Sequence, residues 1–454
     1  MLLRGKLSVP LRWRGVRPPR PRGTRDLLPE EAVKYSYVIG KVRQVFELFG
    51  FDEAQTPALE LLSVLKAKCG EEVERQIFKV EGGELGLRFD LTVGLARMVA
   101  SNPTLPKPFK RYFISKAWRH EEPQSGRLRE FWQADADVVG VSSPQADAEV
   151  LAAAVECLKR LGLEGFVVKV NSRKVLDAIA KLCGVPASKS LEAFRAIDKV
   201  DKVGLRGVEE ELRSRGLGEQ AGKLLEAISL KGPILKLLDE AREAVGGEKL
   251  GLEGLEELGA LAKLAEHYGY ADKLLLDLSL ARGLDYYTGT VFEVVVQGEG
   301  GKLGSVAGGG RYDGLIELLG GPPTPATGVS LGLDRLVEVL KRAGKLPSLR
   351  TATRVFVAAA SDDVRGEALK VAMKLRAEGV PCEVDLMSRR LDRQLKYADA
   401  KGIPFALIVG RRELEEGTYR LRDMAKGEER VVDWDRLLSM VAGRGVSGGA
   451  SSGG

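Results

Sequence analysis

Cysteine is scarce: Cys69, Cys157, Cys183 and Cys382 are the whole complement of 454 residues, far apart and without a C-x-x-C spacing. That argues against a disulfide framework or a structural zinc site, and for a reducing cytoplasm. Histidine occurs twice, as His120 and His267, and there is no Cys/His cluster, no G-x-S-x-G and no H-E-x-x-H. Nucleophilic and zinc chemistry therefore have no support. No apolar stretch approaches the roughly 18 residues of a membrane span. Asparagine is limited to Asn102 and Asn171, a sparing use that points toward a thermophilic source.

Charge is present but unevenly spread. The formal net charge is +6, and the first 22 residues hold seven basic side chains and no acid. The remaining chain is nearly balanced, so any affinity for nucleic acid must come from local patches. The arm (1–20) reads as a disordered basic tail, a phosphate-seeking tail or an organellar presequence. Its prolines spoil the amphipathic helix a presequence needs. The Gly/Ser-rich end (446–454) reads as a flexible tail.

The pass along the chain predicts a helix opening at Pro29, with Glu30 and Glu31 in its first turn and Gly50 as its stop. "FDEAQTPALE" follows as an extended segment whose Pro57 suits an edge or interface. Residues 85–139 alternate with period two in three places. "LRFDLT" puts Arg88, Asp90 and Thr92 on one face, and "RYFISKAWRHE" puts Arg119 and Glu121 on one face. "FWQADADVV" sets Phe131, Gln133, Asp135 and Asp137 opposite an apolar back. The latter two strands form a predicted antiparallel pair. Residues 190–262 read as a helical insertion. Strand signals return at 275–297, and "GGGRYDGLIELLGG" and "ATGVSLGLDRLVEVL" each lead into a helix. From about 350 to 445 strands and helices alternate, predicting a small α/β domain with a mostly parallel core.

Four segments carry polar residues where packing alone prefers apolar ones. Arg119 with Glu121, ahead of a loop bearing Arg127 and Arg129, offers a fork for phosphate or carboxylate; a surface ion pair is the plainer reading. Phe131 with Gln133, Asp135 and Asp137 can hold a planar ring and an amino or ring N–H group, or can be a solvated face. "LARGLDYYTGTVFEVV" crowds Arg282, Asp285, Tyr286 and Tyr287 before a strand. Arg335 enters a helix after small residues, a combination suited to an anion. "GGGRYDG" is weaker, a turn or a close backbone approach, with neither a dinucleotide nor a phosphate-loop pattern. By alternation His120 points away from Arg119, which suits packing. Together these describe arginines around an antiparallel sheet, a site that binds and aligns a polyphosphate.

These segments resemble a known family. "FISKAWRHEEPQSGRLREFWQADADVVG" is similar to motif 2 of class II aminoacyl-tRNA synthetases in its histidyl form, "GVSLGLDRL" to motif 3, and "GFDEAQTPALE" to motif 1, the dimer element. "LARGLDYYTGTVFEVV" and "AGGGRYDGL" resemble the two histidine-specific signatures. The resemblance runs from about residue 21 to 440. It implies an α+β catalytic domain on an antiparallel sheet (21–189 and 263–340), the helical insertion, and a C-terminal anticodon-binding domain. It further implies ATP with Mg2+, L-histidine and histidine tRNA as partners, a homodimer, and no structural metal. Carried over by position, Arg119 and Arg282 flank the α-phosphate, with Arg282 as the catalytic arginine. Glu121 sits near the adenine amino group, Phe131 stacks on adenine, and Arg127 and Arg335 grip the β/γ-phosphates. Asp90, Thr92 and Gln133 take the α-amino group. Asp137 and Tyr287 read the imidazole, Tyr312 lines the pocket, and Asp285 and Tyr286 complete it.

Two departures accompany the resemblance. Many bacterial members have Glu where this chain has Asp90 and Asp137, one methylene shorter, and "LRFDLT" is archaeal-like. A histidine-sensing regulatory paralogue without ligase activity is the alternative, but Arg119, Arg282, Arg335 and a complete C-terminal domain oppose it. In the C-terminal domain, Arg389, Arg393 and Lys396 form a basic stripe if 389–401 is one helix, with Leu391, Leu395 and Ala398 toward the core. The stripe suits phosphates, or is merely a solvated face.

Overall fold

The computed structural model describes residues 19–67, 71–123, 126–282, 286–298 and 304–441. The arm up to residue 18, Cys69, Asp285 and the 446–454 tail lie outside the described residues. The chain forms two compact units. The first comprises Phe51–Ala154, Gly165–Leu336 and the segment ending at Asp26; the second comprises Leu27–Gly50, Val155–Glu164 and the chain from Val337.

Sixteen strands are described: β1 (Asp52–Glu53), β2 (Leu59–Leu61), β3 (Leu85–Leu87), β4 (Phe109–Trp118), β5 (Glu130–Val139), β6 (Phe166–Ser172), β7 (Lys231–Pro233), β8 (Leu274–Asp277), β9 (Thr290–Val296), β10 (Ser305–Arg311), β11 (Ala326–Gly332), β12 (Val355–Ala359), β13 (Cys382–Val384), β14 (Phe405–Val409), β15 (Tyr419–Asp423) and β16 (Glu429–Val432). The first unit is built on a sheet in the order β1-β4-β5-β11-β10-β9-β6-β8-β7. Its central run from β4 to β6 is antiparallel throughout.

The predicted β4–β5 pair is present with a long register, from Phe109↔Val139 to Trp118↔Glu130. Its apolar back is buried through Ala134, Ala136 and Val138. The polar front is buried too, with Gln133 9%, Asp135 1% and Asp137 2% exposed, so a solvated sheet face is ruled out. A buried carboxylate row costs free energy unless partners compensate it, and such a row marks a site.

Two readings of the alternation need correction. "LRFDLT" is not one strand: β3 ends at Leu87, and Thr92 opens the helix Thr92–Ser101. Asp90 Oδ1 accepts the Thr92 and Val93 N–H groups at 3.2 and 3.0 Å, so this aspartate caps a helix. Arg88 leaves that face altogether. It donates to the Thr56 and Lys116 carbonyls and to the Ser115 hydroxyl, with Phe113 and Trp118 against its guanidinium. Likewise β4 ends at Trp118, because the Arg119 N–H turns to the Arg129 carbonyl, and Arg119 and Glu121 stand on irregular backbone.

The segment 190–262 is largely helical, but it contributes β7 to the sheet edge, and its last helix, Lys249–Tyr268, packs on the helix Arg173–Leu182. The short Lys-Gly-Pro strand carries no alternation to read.

In the second unit the helix Pro29–Leu48 starts at its proline and buries Tyr35, Val38, Val42, Val45 and Phe46; Gly50 follows at φ +71°. The C-terminal sheet runs β13-β12-β14-β15-β16, with the first three parallel as predicted and β15 and β16 antiparallel. The basic stripe is broken. The helix spans Leu391–Lys401, Arg389 precedes it and pairs with Asp385, and Gln394 is buried against both the N–H and C=O of Ala359. Arg393 and Lys396 remain exposed.

Candidate active site

A cleft in the first unit opens over the antiparallel centre of the sheet. Ten of the residues singled out in the sequence line it: Asp90, Thr92, Arg119, Gln133, Asp135, Asp137, Arg282, Tyr286, Tyr287 and Tyr312. The two arginines on which the sequence reading depends therefore face one space. Phe131 adjoins through Arg119, whose guanidinium lies 5.2 Å from the ring centre, while Arg119 Nε donates to the Phe89 carbonyl.

The glycine run explains how the cleft exists. Gly308, Gly309 and Gly310 lie within β10, and a Cβ on any of them would collide. At Gly308 it would strike the Arg282 guanidinium, at Gly309 the Gly328 carbonyl, and at Gly310 the Thr290 carbonyl. The open alternative for "GGGRYDG" is thereby resolved toward close backbone approach. Gly328 on β11 is equally constrained, because a side chain there would fill the place of the Asp137 carboxylate.

Arg282 stands at φ +55°, a strained conformation for an arginine and one that concentrates at functional sites. Its Nη1 donates to Glu293 at 3.2 Å, and its buried Nε has no partner. Glu293 on β9 went unnoticed in the sequence. A lone acid in "TVFEVVV" was the signal that could have marked it.

A second group of cations adjoins the cleft. Arg335 donates to the Ser305 and Gly126 carbonyls at 2.8 and 3.4 Å. Burial, then the neighbouring Arg127 and Arg119, lower its pKa despite Glu293 and Glu121 nearby. Arg127 reaches Glu121 at only 3.5 Å and is 43% exposed. Arginines that repel one another in this way provide field for a polyanion.

On the other side the polar groups are organised by burial. Asp137 accepts from Tyr312 Oη at 2.6 Å and from Arg111 Nη1 at 3.1 Å. Arg111, fully buried, also donates to the Leu91 carbonyl. Burial raises the Asp137 pKa, and Arg111 and Tyr312 oppose that rise. Asp90 is raised by burial and held back by its capping N–H groups and by Arg119; Tyr286 Oη donates to it at 3.3 Å. Tyr286 packs on Tyr287 and Tyr312, with ring centres 4.9 and 6.0 Å away. Gln133 Nε2 donates to Ser330 at 2.6 Å, leaving its buried Oε1 without a partner and able to accept from an ammonium group.

Arg111 was missed by the sequence reading, having no signal beyond a basic residue inside "FKRYF". Arg311 of "GGGRYDG" is structural. Buried, it bonds Asp147 at 2.6 Å and the Val141 and Ser143 carbonyls. His120 stacks edge-on against Phe78, 5.1 Å away, consistent with packing.

A large sheet with an antiparallel centre, carrying a buried polar pocket lined by Arg119 and Arg282, is the catalytic body of a class II aminoacyl-tRNA synthetase. The family model for histidyl-tRNA synthetase matches residues 23–336, and that for the anticodon-binding domain matches 354–444. The chain belongs to the histidyl-tRNA synthetase family. It is 41% identical over 427 residues to the histidine–tRNA ligase of Pyrococcus horikoshii, covering 93% of this chain and 98% of the relative. It is 42% identical over 434 residues to that of Aeropyrum pernix, covering 94% and 98%. Among solved structures, the histidyl-tRNA synthetase of a Nostoc species matches with TM-score 0.82 and 31% identity, covering 94% and 99%.

Proposed function

We propose that the cleft forms histidyl-adenylate between two arginines and that each lining group has a separable role. The chain ligates L-histidine to its tRNA using ATP, through that adenylate, with release of pyrophosphate and then AMP. Arg119 and Arg282 hold the α-phosphate from opposite sides while the histidine carboxylate attacks phosphorus, and their fixed charge stabilises the oxygens on which negative charge builds. ATP arrives as its Mg2+ complex, the metal sharing the β/γ charge with Arg127 and Arg335. Phe131 stacks on adenine, and Glu121 lies by its amino group. Asp90, Thr92 and the Gln133 carbonyl hold the α-ammonium. Tyr286, Tyr287, Tyr312 and Asp137 shape the side-chain pocket. Holding both reactants in one geometry supplies much of the remaining acceleration.

The observation that carries this reading is the one cleft shared by Arg119 and Arg282, with the unpartnered Gln133 oxygen between sheet and ligand space. Leu59 and Leu61, 46% and 51% exposed on β2, support a homodimer through the motif 1 region. Among the described residues no helix is long and apolar enough to cross a membrane; the cysteine usage supports a cytoplasmic setting.

Calorimetric titration separates the roles. Gln133→Ala is expected to weaken histidine binding about ten- to a hundredfold, the loss of one charge-assisted hydrogen bond of about 1.5–3 kcal/mol, and to spare ATP. Phe131→Ala is expected to do the reverse, losing about 1–3 kcal/mol of base stacking. If each variant weakens both ligands equally, the division of the cleft is wrong.

A further inference from the structure

The helical insertion reaches the cleft without lining it. None of the described residues around the cleft belongs to 190–262. Yet the turn Ile197–Asp201, between the helices Ser190–Ile197 and Val200–Ser214, is fastened beside it. After the turn, Asp201 accepts from Lys169 Nζ on β6 at 2.7 Å. Lys169, 8% exposed, also reaches Asp277 at 3.3 Å, and Asp277 in turn pairs with Lys231 of β7 at 2.9 Å. Ahead of the turn, the Phe194 ring packs on the Arg173 guanidinium, 4.1 Å from its centre. Strand register carries the row onward. Lys169 stands directly opposite Glu293 on β9, and Glu293 opposite Gly308 on β10, the residue against which the Arg282 guanidinium lies. Residues opposite one another share a sheet face, so the insertion docks on the face that Arg282 occupies.

Asp198, half-buried at the end of the helix Ser190–Ile197, is the part of the turn that meets Arg282. Its carboxylate accepts the Arg282 backbone N–H and faces the Arg282 charge, with Glu293 close by. Resting on the role given to Arg282 above, we infer that Asp198 is a positioning residue for adenylate formation. The insertion, clamped to the sheet through Lys169 and Asp201, holds Arg282 in its left-handed backbone and aims its side chain at the cleft. A φ of +55° is costly for an arginine and persists only where the surroundings over-determine it. A carboxylate on that residue's own N–H fixes the peptide plane ahead of the strained torsion, while Glu293 ties the far end of the side chain through Nη1. Charge agrees with geometry. Burial raises the Asp198 pKa, and Arg282 opposes that rise most strongly. Burial pulls the Arg282 pKa down, and Tyr287, Glu293 and Asp198 together push it up. An arginine tied by acids at both ends is held still, which is the preorganisation that attack on phosphorus requires.

The test measures ATP–pyrophosphate exchange with L-histidine on full-length variants, separating kcat from the KM of histidine and of ATP. Asp198→Ala is expected to lower kcat about 10- to 100-fold, the cost of misplacing a catalytic group by about 1 Å, with both KM values within about threefold. Asp198→Asn, which keeps an oxygen for the Arg282 N–H, is expected to recover part of kcat. Lys199→Ala, on the same turn, loses the bond from its Nζ to Glu211 within the insertion and is expected to leave kcat within about twofold. Asp201→Ala alters a side chain that is 65% exposed, so the fold tolerates it, and is expected to lower kcat several-fold by loosening the turn. An unchanged kcat in Asp198→Ala overturns the inference, as does an equal fall in Lys199→Ala, which marks a merely structural turn. Should Asp198→Ala not fold, Asp201→Ala decides by the same criterion. Arg282→Ala run beside them separates the two readings. A fall in kcat there with Asp198→Ala unchanged sinks this inference alone, whereas no fall in either removes the role of Arg282 on which it rests.

Discussion

Arg282→Ala is expected to lower ATP–pyrophosphate exchange by about 10³-fold while histidine affinity, measured by titration, changes only a few-fold. The size follows from removing a preorganised cation from the phosphorus under attack, where single donors are worth about 10²–10³ and arginines on transferring phosphoryl groups more. The selectivity follows from where the arginine gains strength. Its Nη1 donates to Glu293 and its buried Nε has no partner; on the proposed function, that remaining capacity serves charge that develops during reaction. Its left-handed backbone and the bare Gly308 pressed against the guanidinium fix its direction. A large loss of histidine affinity with turnover intact would place Arg282 in a binding role and leave the phosphate without its second clamp.

Arg111→Met is expected to cost about 3–5 kcal/mol of stability, the usual penalty for leaving one partner of a buried ion pair uncompensated. Arg111 is 0% exposed and Asp137 2%, so water cannot replace the lost guanidinium. Thermal or denaturant unfolding reads the loss. Adding Asp137→Leu to Arg111→Met removes the stranded carboxyl and is expected to restore much of the stability without restoring histidine binding, because the Tyr312 hydroxyl then has no anchor. A single substitution costing less than about 1 kcal/mol would mean that the pair does not organise the pocket.

Much of the fold could be read where periodicity and punctuation agreed. The Pro29–Leu48 helix carried its proline, its glutamates and its closing glycine. β5 carried alternation over its whole length, and β11 ran into an amphipathic helix. Reading failed where one signal had two meanings. Arg88, Asp90 and Thr92 alternate as a strand face would, yet Asp90-Leu91-Thr92 is also a capping sequence, and the cap prevailed once the backbone turned. The stripe at Arg389, Arg393 and Lys396 had helical spacing, but Asp385 took Arg389 before the helix began.

The candidate site shows the same limit. The polar face of β5 was visible in its residues, and so was the cluster around Arg282. What could not be read was which carboxylate is saturated, because that depends on Arg111 from β4, Tyr312 beyond β10 and the absence of a side chain at Gly328. Such partners are brought together by strand register, which one-dimensional spacing does not encode.

Arg119 and Arg282 line one cleft, and the proposed function has them activate one amino acid there. Pyrophosphate exchange into ATP, run on the purified protein with each of the twenty amino acids in turn, tests this most directly. The account predicts exchange with L-histidine far above the other nineteen. Equal exchange with any other amino acid, or none with histidine, would contradict it.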